Sequence, residues 1–277
     1  MTRQPDFRGV WIKVERAKEH ISDLEARAKR FEEAEPYSVV SYCELDTGHL
    51  VFKVRGSDQP PLKWSAIAGD AIHNLRSALD LLVCEVVRAN DNPVLEGTGF
   101  PVFKSAKACA DEFKGRPPGQ VKGAPQRAVD FIKKASPYKG ANNPFWRLHQ
   151  LDIEDKHKLL VPVVMEQGFG LNILGPPIRE VEVFLPNNVE VPLKDGTEIY
   201  RIAARGVDDP VAQMRMYPKF AFGVAFGEVE IVKGKPLVPT LHEIAQFVES
   251  FIESFVTLFG QNAPSPYCRQ GGNSQDN

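Results

Sequence analysis

At 277 residues, with 43% hydrophobic and 25% charged side chains, the chain has the make-up of an ordinary globular protein, long enough for one large domain or two small ones. A net charge of −2 and a pI of about 6.3 exclude a global electrostatic pull toward nucleic acid or an anionic membrane. No apolar run approaches the roughly 18 residues of a membrane span, and Met1-Thr2-Arg3-Gln4-Pro5-Asp6 lacks the apolar core of a signal peptide.

Cysteine usage points the same way. Cys43, Cys84, Cys109 and Cys268 form no Cys-x-x-Cys pair. Neither a zinc ribbon nor a disulfide framework is expected; reduced thiols in a cytoplasmic protein are.

The first element is a helix over about 8–35. Val14, Ala17, Ile21, Leu24, Ala28 and Phe31 recur in steps of three and four, a seam of heptad type that ends at Pro36. The seam suits an internal bundle helix and leaves a homodimer open. Period 2 takes over at 37–55, where Val39, Ser41, Cys43 and Leu45, then Leu50, Phe52 and Val54, flank Asp46-Thr47-Gly48. That pattern reads as a β-hairpin.

A second long helix is expected over about 62–89, stopped by Asn90-Asp91-Asn92-Pro93. Residues 91–123 read as a long ordered loop, followed by helices over about 125–135 and 144–159, the latter with Pro144 in its first turn. Strands are then expected at Leu159–Met165, Arg179–Leu185, Ile199–Ala204, Phe220–Phe226 and Glu228–Val232. Thr240-Leu241-His242-Glu243 has the form of a capping box opening a last helix over 240–259. Residues 261–277 are polar and predicted to be disordered. The fold class expected is α+β: a bundle of about five helices with an N-terminal hairpin and an antiparallel sheet inserted before the last helix. Residues 1–260 are read as one interlocked domain.

The 62–89 helix has two distinct faces. At about 100° per residue, Trp64, Ala68, Ala71, Ile72, Leu75, Ala78, Leu79, Leu82 and Val86 gather on one side. His73, Arg76, Ser77, Asp80 and Cys84 gather opposite, a hydrogen-bonding set where a surface helix normally scatters Lys and Glu. The 144–159 helix places Asp155 in the middle of a Leu148/Leu151/Leu159 face, with Asp152 at its edge. A carboxylate there needs a cation from another element. Arg76 is the expected partner, with Arg76–Asp80 and His73–Asp155 as the other pairings.

Two chemistries suit such a seam. Two imidazoles with Arg and Lys fit metal-independent phosphodiester cleavage, with His73, Arg76 and His157 as catalytic candidates and Asn74, Asp80, Asp155 and Lys156 in support. Metal binding is disfavoured, because His73 and Asp80 lie two helical turns apart, roughly 10 Å by the 1.5 Å rise. No metal and no cofactor are expected. Between 104 and 139 the chain is basic, with aromatic residues interleaved, and Lys133 and Lys134 are its candidate nucleic-acid contacts. RNA is therefore the partner considered and a membrane is not.

The string Gly69-Asp70-Ala71-Ile72-His73-Asn74-Leu75-Arg76-Ser77-Ala78-Leu79-Asp80, with Asp155-Lys156-His157-Lys158-Leu159-Leu160 downstream, resembles a poorly characterised group of bacterial hypothetical proteins. That resemblance brings no activity with it. The polar-faced helix also resembles HEPN-type helical domains, many of which are RNases or toxin partners. Their active pattern, an Arg and a downstream His with four to six residues between, is not met here, since Arg16 and His20 are one residue too close. Three readings follow: an RNA-binding or RNA-cleaving protein, a non-catalytic interaction or structural protein whose seam only specifies packing, and a small-ligand binder.

Overall fold

The heptad-type seam near the N-terminus becomes α1, Arg8–Glu33. Val14, Ala17, Ile21, Leu24 and Ala28 are all buried, whereas Ile12 is left exposed. Asp6 accepts the Arg8 backbone N–H at 3.1 Å, occupying one of the orphan donors of the first turn. Helices α2 (Lys63–Ala89), α4 (Gln126–Lys134) and α5 (Asn143–His157) lie close to their expected bounds. The computed structural model describes residues 3–35, 37–140, 143–173, 180–184, 192–205, 216–227 and 229–261. The predicted C-terminal tail beyond residue 261 lies outside them.

The supposed loop at 91–123 contains a helix, α3 (Ala106–Glu112), and a single 3-10 turn at Gly119–Val121. Ser105 caps α3 through its Oγ, which accepts the Ala108 N–H at 3.1 Å, and Cys109 and Phe113 bury beneath it. The last helix, α6, runs over Leu237–Thr257 and so starts before the expected cap. Pro239 tolerates the first turn because its missing N–H has no helical acceptor there. Thr240 is buried inside the helix, and Glu243 pairs with Arg147 of α5 at 3.0 Å. Thr240 and Glu243 therefore do not form the opening cap.

The expected hairpin is β1 (Tyr37–Cys43) and β2 (Leu50–Ser57), antiparallel with Cys43 opposite Leu50; Gly48 takes φ +70° in its turn. It belongs to a larger four-stranded antiparallel sheet, ordered β1-β2-β5-β4, with β4 at Glu180–Phe184 and β5 at Glu198–Arg205. β3 (Pro162–Ile173) and β6 (Met216–Phe226) make a second, two-stranded sheet in which Pro162 faces Phe226 and Ile173 faces Met216. The strand expected at Glu228–Val232 is not present among the described residues. From Val229 to Gly234 the chain turns, with the Val232 N–H on the Val229 carbonyl at 2.9 Å and Gly234 at φ +69°. Only glycine enters that backbone region without strain.

The fold is α+β, and it divides into two compact units. One takes the described residues of Met1–Ser22, Ile67–Leu159 and Pro239–Asn277 and is helical; the other takes those of Asp23–Ala66 and Leu160–Val238 and holds both sheets. The sheet-bearing unit has a core of Phe52, Val54, Val164, Ile199, Ile202 and Phe222. An aromatic cluster organises the helical unit. Phe145 sits 4.7 Å from Phe100, 4.7 Å from Phe247 and 5.0 Å from Phe251, centroid to centroid. Among the described residues no helix is long and apolar enough to cross a membrane.

Candidate functional site

The polar face of α2 meets α5 within the helical unit, and Asp152 is its anchor. Phe145, Leu148 and Leu151 bury one side of α5, and Asp152, one turn beyond Leu148, shares that side with only 4% of its surface exposed. Two cation-capable side chains satisfy it. His73 Nδ1 lies 3.1 Å from Asp152 Oδ1, and Lys156 Nζ donates to Oδ2 at 2.6 Å. Asp152 is thus the buried carboxylate of the seam, in place of Asp155. The apolar stripe stops earlier than the Leu148/Leu151/Leu159 pattern implies, because α5 ends at His157 and Leu159 is half-exposed.

Asp155 lies half-buried against Gly69 of α2. A Cβ on Gly69 would stand 2.2 Å from Asp155 Oδ1, so a larger residue there would force the Asp155 carboxylate to move. Burial pushes the Asp155 carboxyl up, helped by the like charges of Asp152 and Asp70. The folded chain then holds a proton that the unfolded chain releases, so stability falls as pH rises through the Asp155 titration. Asp155→Asn removes that loss. It is expected to raise the melting temperature at pH 7 by a few degrees, with the gain vanishing below about pH 4, where both forms are neutral. Equal melting curves at pH 7 would show that Asp155 feels no net repulsion.

Arg76 does not pair with Asp155. Its Nη2 donates at 2.6 Å to Asp80 Oδ1 and at 2.6 Å to the Phe100 carbonyl. Asp80 Oδ1 in turn accepts the Phe100 N–H at 2.8 Å, so the pair brackets both polar backbone groups of one loop residue. Gly99 makes room, since a Cβ there would lie 2.6 Å from Asp80 Oδ1. Burial pulls the Arg76 guanidinium down and pushes the Asp80 carboxyl up, each opposed by the charge of its partner. Among the described residues, Arg76 Nη1 is buried with no hydrogen-bond partner. The i,i+4 alternative, Arg76 with Asp80, is the pairing the molecule uses, and the bond to Phe100 explains why.

The remaining candidates divide. Lys156 joins the seam through Asp152. Asn74 accepts from Lys13 of α1 at 3.1 Å and donates to the Asp70 carbonyl at 2.7 Å, tying α2 to α1. His157 is exposed at the end of α5 and makes no hydrogen bond to the seam among the described residues. Lys133 and Lys134 are exposed in the last turn of α4.

Two further residues matter. His149, one turn before Asp152, is half-buried, and its Nδ1 has no hydrogen-bond partner among the described residues; burial and the nearby Arg76 pull its imidazole down and favour the neutral form. Ser77 Oγ lies 3.4 Å from His73 Nε2. The i−3 spacing of His149 from Asp152 was the available signal for the first, and the i,i+4 spacing of Ser77 from His73 for the second.

Chemically, the arrangement presents an imidazole in water that is fixed from behind. His73 keeps 55% of its side chain exposed while its Nδ1 is held by a carboxylate with 5% of its side chain exposed. When Nδ1 carries the proton donated to Asp152, Nε2 offers a lone pair outward. Among the described residues no group of three His, Cys, Asp or Glu side chains is arranged to hold a metal ion. Comparison with protein-family models, with curated proteins and with solved structures finds no match for this chain.

Proposed function

We propose that the α2/α5 seam cleaves RNA without a metal, with His73 as the proton acceptor. The observation that carries this reading is the exposed His73 imidazole held through Nδ1 by buried Asp152. In the reaction, Nε2 takes the proton of a ribose 2′-hydroxyl, whose oxygen attacks the adjacent phosphorus. A 2′,3′-cyclic phosphate forms, and the 5′-oxygen leaves with a proton from solvent. Lys156, beside the same carboxylate and half-exposed, supplies positive charge for the phosphate. Arg76 positions the loop at Phe100, and His157 has no assigned step. Exposed Lys133 and Lys134 add salt-dependent affinity.

The test is cleavage of a labelled RNA in chelator at low salt, beside the same strand with a 2′-deoxy residue at the cut site. His73→Ala is expected to slow cleavage by about 10²–10⁴-fold, far more than the loss of stability from leaving buried Asp152 Oδ1 without its partner accounts for. Wild-type protein that neither cuts nor binds RNA would end the reading. A second reading, in which the seam only specifies packing, draws on the Arg76–Asp80 bracket around Phe100, since those bonds serve structure alone. It predicts that His73→Ala changes nothing measurable except stability.

A further inference from the structure

We propose that Ser77 is a nucleophile, activated by His73 and Asp152, that accepts an acyl group from carboxylic esters. This goes beyond RNA cleavage: it shares the His73–Asp152 contact with that reading and adds the contact from Ser77 to His73. Ser77 Oγ is 3.4 Å from His73 Nε2, and His73 Nδ1 is 3.1 Å from Asp152 Oδ1. A nucleophile within reach of a base, and a base oriented by a third buried group, is the arrangement that turns a weak hydroxyl into an attacking oxygen. The three side chains come from two helices and need no loop to assemble them. His73 and Ser77 share one face of α2 at i,i+4, and Asp152 arrives from α5. His73 is exposed and Ser77 half-buried, so an ester reaches both from solvent.

The chemistry balances with ester and water as the only reactants. Ser77 Oγ bonds to the acyl carbon as its proton passes to His73 Nε2, and the carbon–alkoxide bond breaks with that proton going to the leaving oxygen. Water then attacks the acyl-serine through the same nitrogen, releasing the acid and restoring Ser77. Ser77 lies inside a helix, so its own N–H is committed to the helical ladder and cannot serve the developing oxyanion. Lys156, whose Nζ donates to Asp152 Oδ2 at 2.6 Å, stands on the Asp152 side of the His73 ring and adds positive charge only at long range. Without fixed backbone donors for the oxyanion, both acylation and deacylation are slow.

A fluorophosphonate probe and p-nitrophenyl acetate test this on the full chain. Mass spectrometry is expected to find one adduct on the peptide carrying Ser77, absent from Ser77→Ala. His73→Ala is expected to slow labelling by at least about 100-fold, and Asp152→Asn, which favours the wrong imidazole tautomer, by a comparable factor. Should His73→Ala lose its fold, His73→Gln reads the same point. No adduct on Ser77, or an adduct indifferent to both His73 and Asp152, overturns the proposal. The two readings separate cleanly: labelled Ser77 without RNA cleavage sinks only the RNase, and RNA cleavage without labelling sinks only the nucleophile.

Discussion

Replacing Phe145 by alanine is expected to cost about 3–5 kcal/mol, the range for removing a large buried aromatic side chain from a core. Phe145 is 1% exposed and packs on Phe100, Phe247 and Phe251, which come from the post-α2 loop and from α6. Two of those rings have further ties: Phe251 also meets Phe131 of α4 at 5.4 Å, and the backbone of Phe100 is bracketed by Arg76 and Asp80. Phe247 and Phe251 are only partly buried and can relax toward the gap, which places the cost in the lower half of the range. Phe145→Leu keeps most of the volume and is expected to lose less than half as much. Urea unfolding reads the difference as a shift in midpoint at unchanged slope. A further effect reaches the seam. Asp152 sits two helical turns beyond Phe145 on α5, so a rotated or frayed α5 moves the carboxylate that holds His73. Any His73-dependent activity falls with stability. A loss of under about 1 kcal/mol would mean that the aromatic cluster is loosely packed.

Long periodic segments announced themselves in the chain, and short or long-range features did not. The apolar stripe of α2 repeats from Trp64 to Val86, so its period overwhelms local noise, and its bounds fall within a residue of expectation. α3 is a single capped helix of seven residues among glycines and prolines, too short for a period to register. The hairpin β1–β2 was legible from alternation and its Asp-Thr-Gly turn, whereas its pairing with β5, Phe52 against Tyr200, joins segments far apart in sequence and carries no local signature.

The same division holds at the candidate site. The polar face of α2 showed in the wheel. Its geometry depended on where α5 stops: an unbroken helix through Leu159 centres the buried stripe on Asp155, whereas a helix ending at His157 centres it on Asp152. Asp80 was among the pairings open to Arg76, and the second partner of Arg76 was hidden for another reason. A backbone carbonyl has no sequence signature, and the one at Phe100 decides where the guanidinium goes.

Arg76→Ala is expected to cost about 3 kcal/mol, the lower end of the 3–5 kcal/mol typical of leaving one member of a buried ion pair alone. Three consequences add. Asp80 loses its cation while keeping the Phe100 N–H at 2.8 Å. The Phe100 carbonyl loses its donor beneath a residue that is 1% exposed, which costs roughly 1–3 kcal/mol if water cannot reach it. The loop then loses its tie to α2, and Phe100 carries one face of the ring cluster around Phe145. Solvent limits the total, because the Asp80 side chain keeps 37% of its exposure and rehydrates in part. Arg76→Lys retains the charge but cannot span Asp80 and Phe100 with one planar group, so it is expected to recover less than half of the loss. Asp80→Asn separates charge from geometry. Its amide oxygen still accepts the Phe100 N–H while the pair loses its Coulombic attraction, so the cost should fall below that of Arg76→Ala. If Arg76→Ala unfolds at the wild-type urea midpoint, the bracket around Phe100 contributes nothing, and the polar face of α2 loses its structural role at that end.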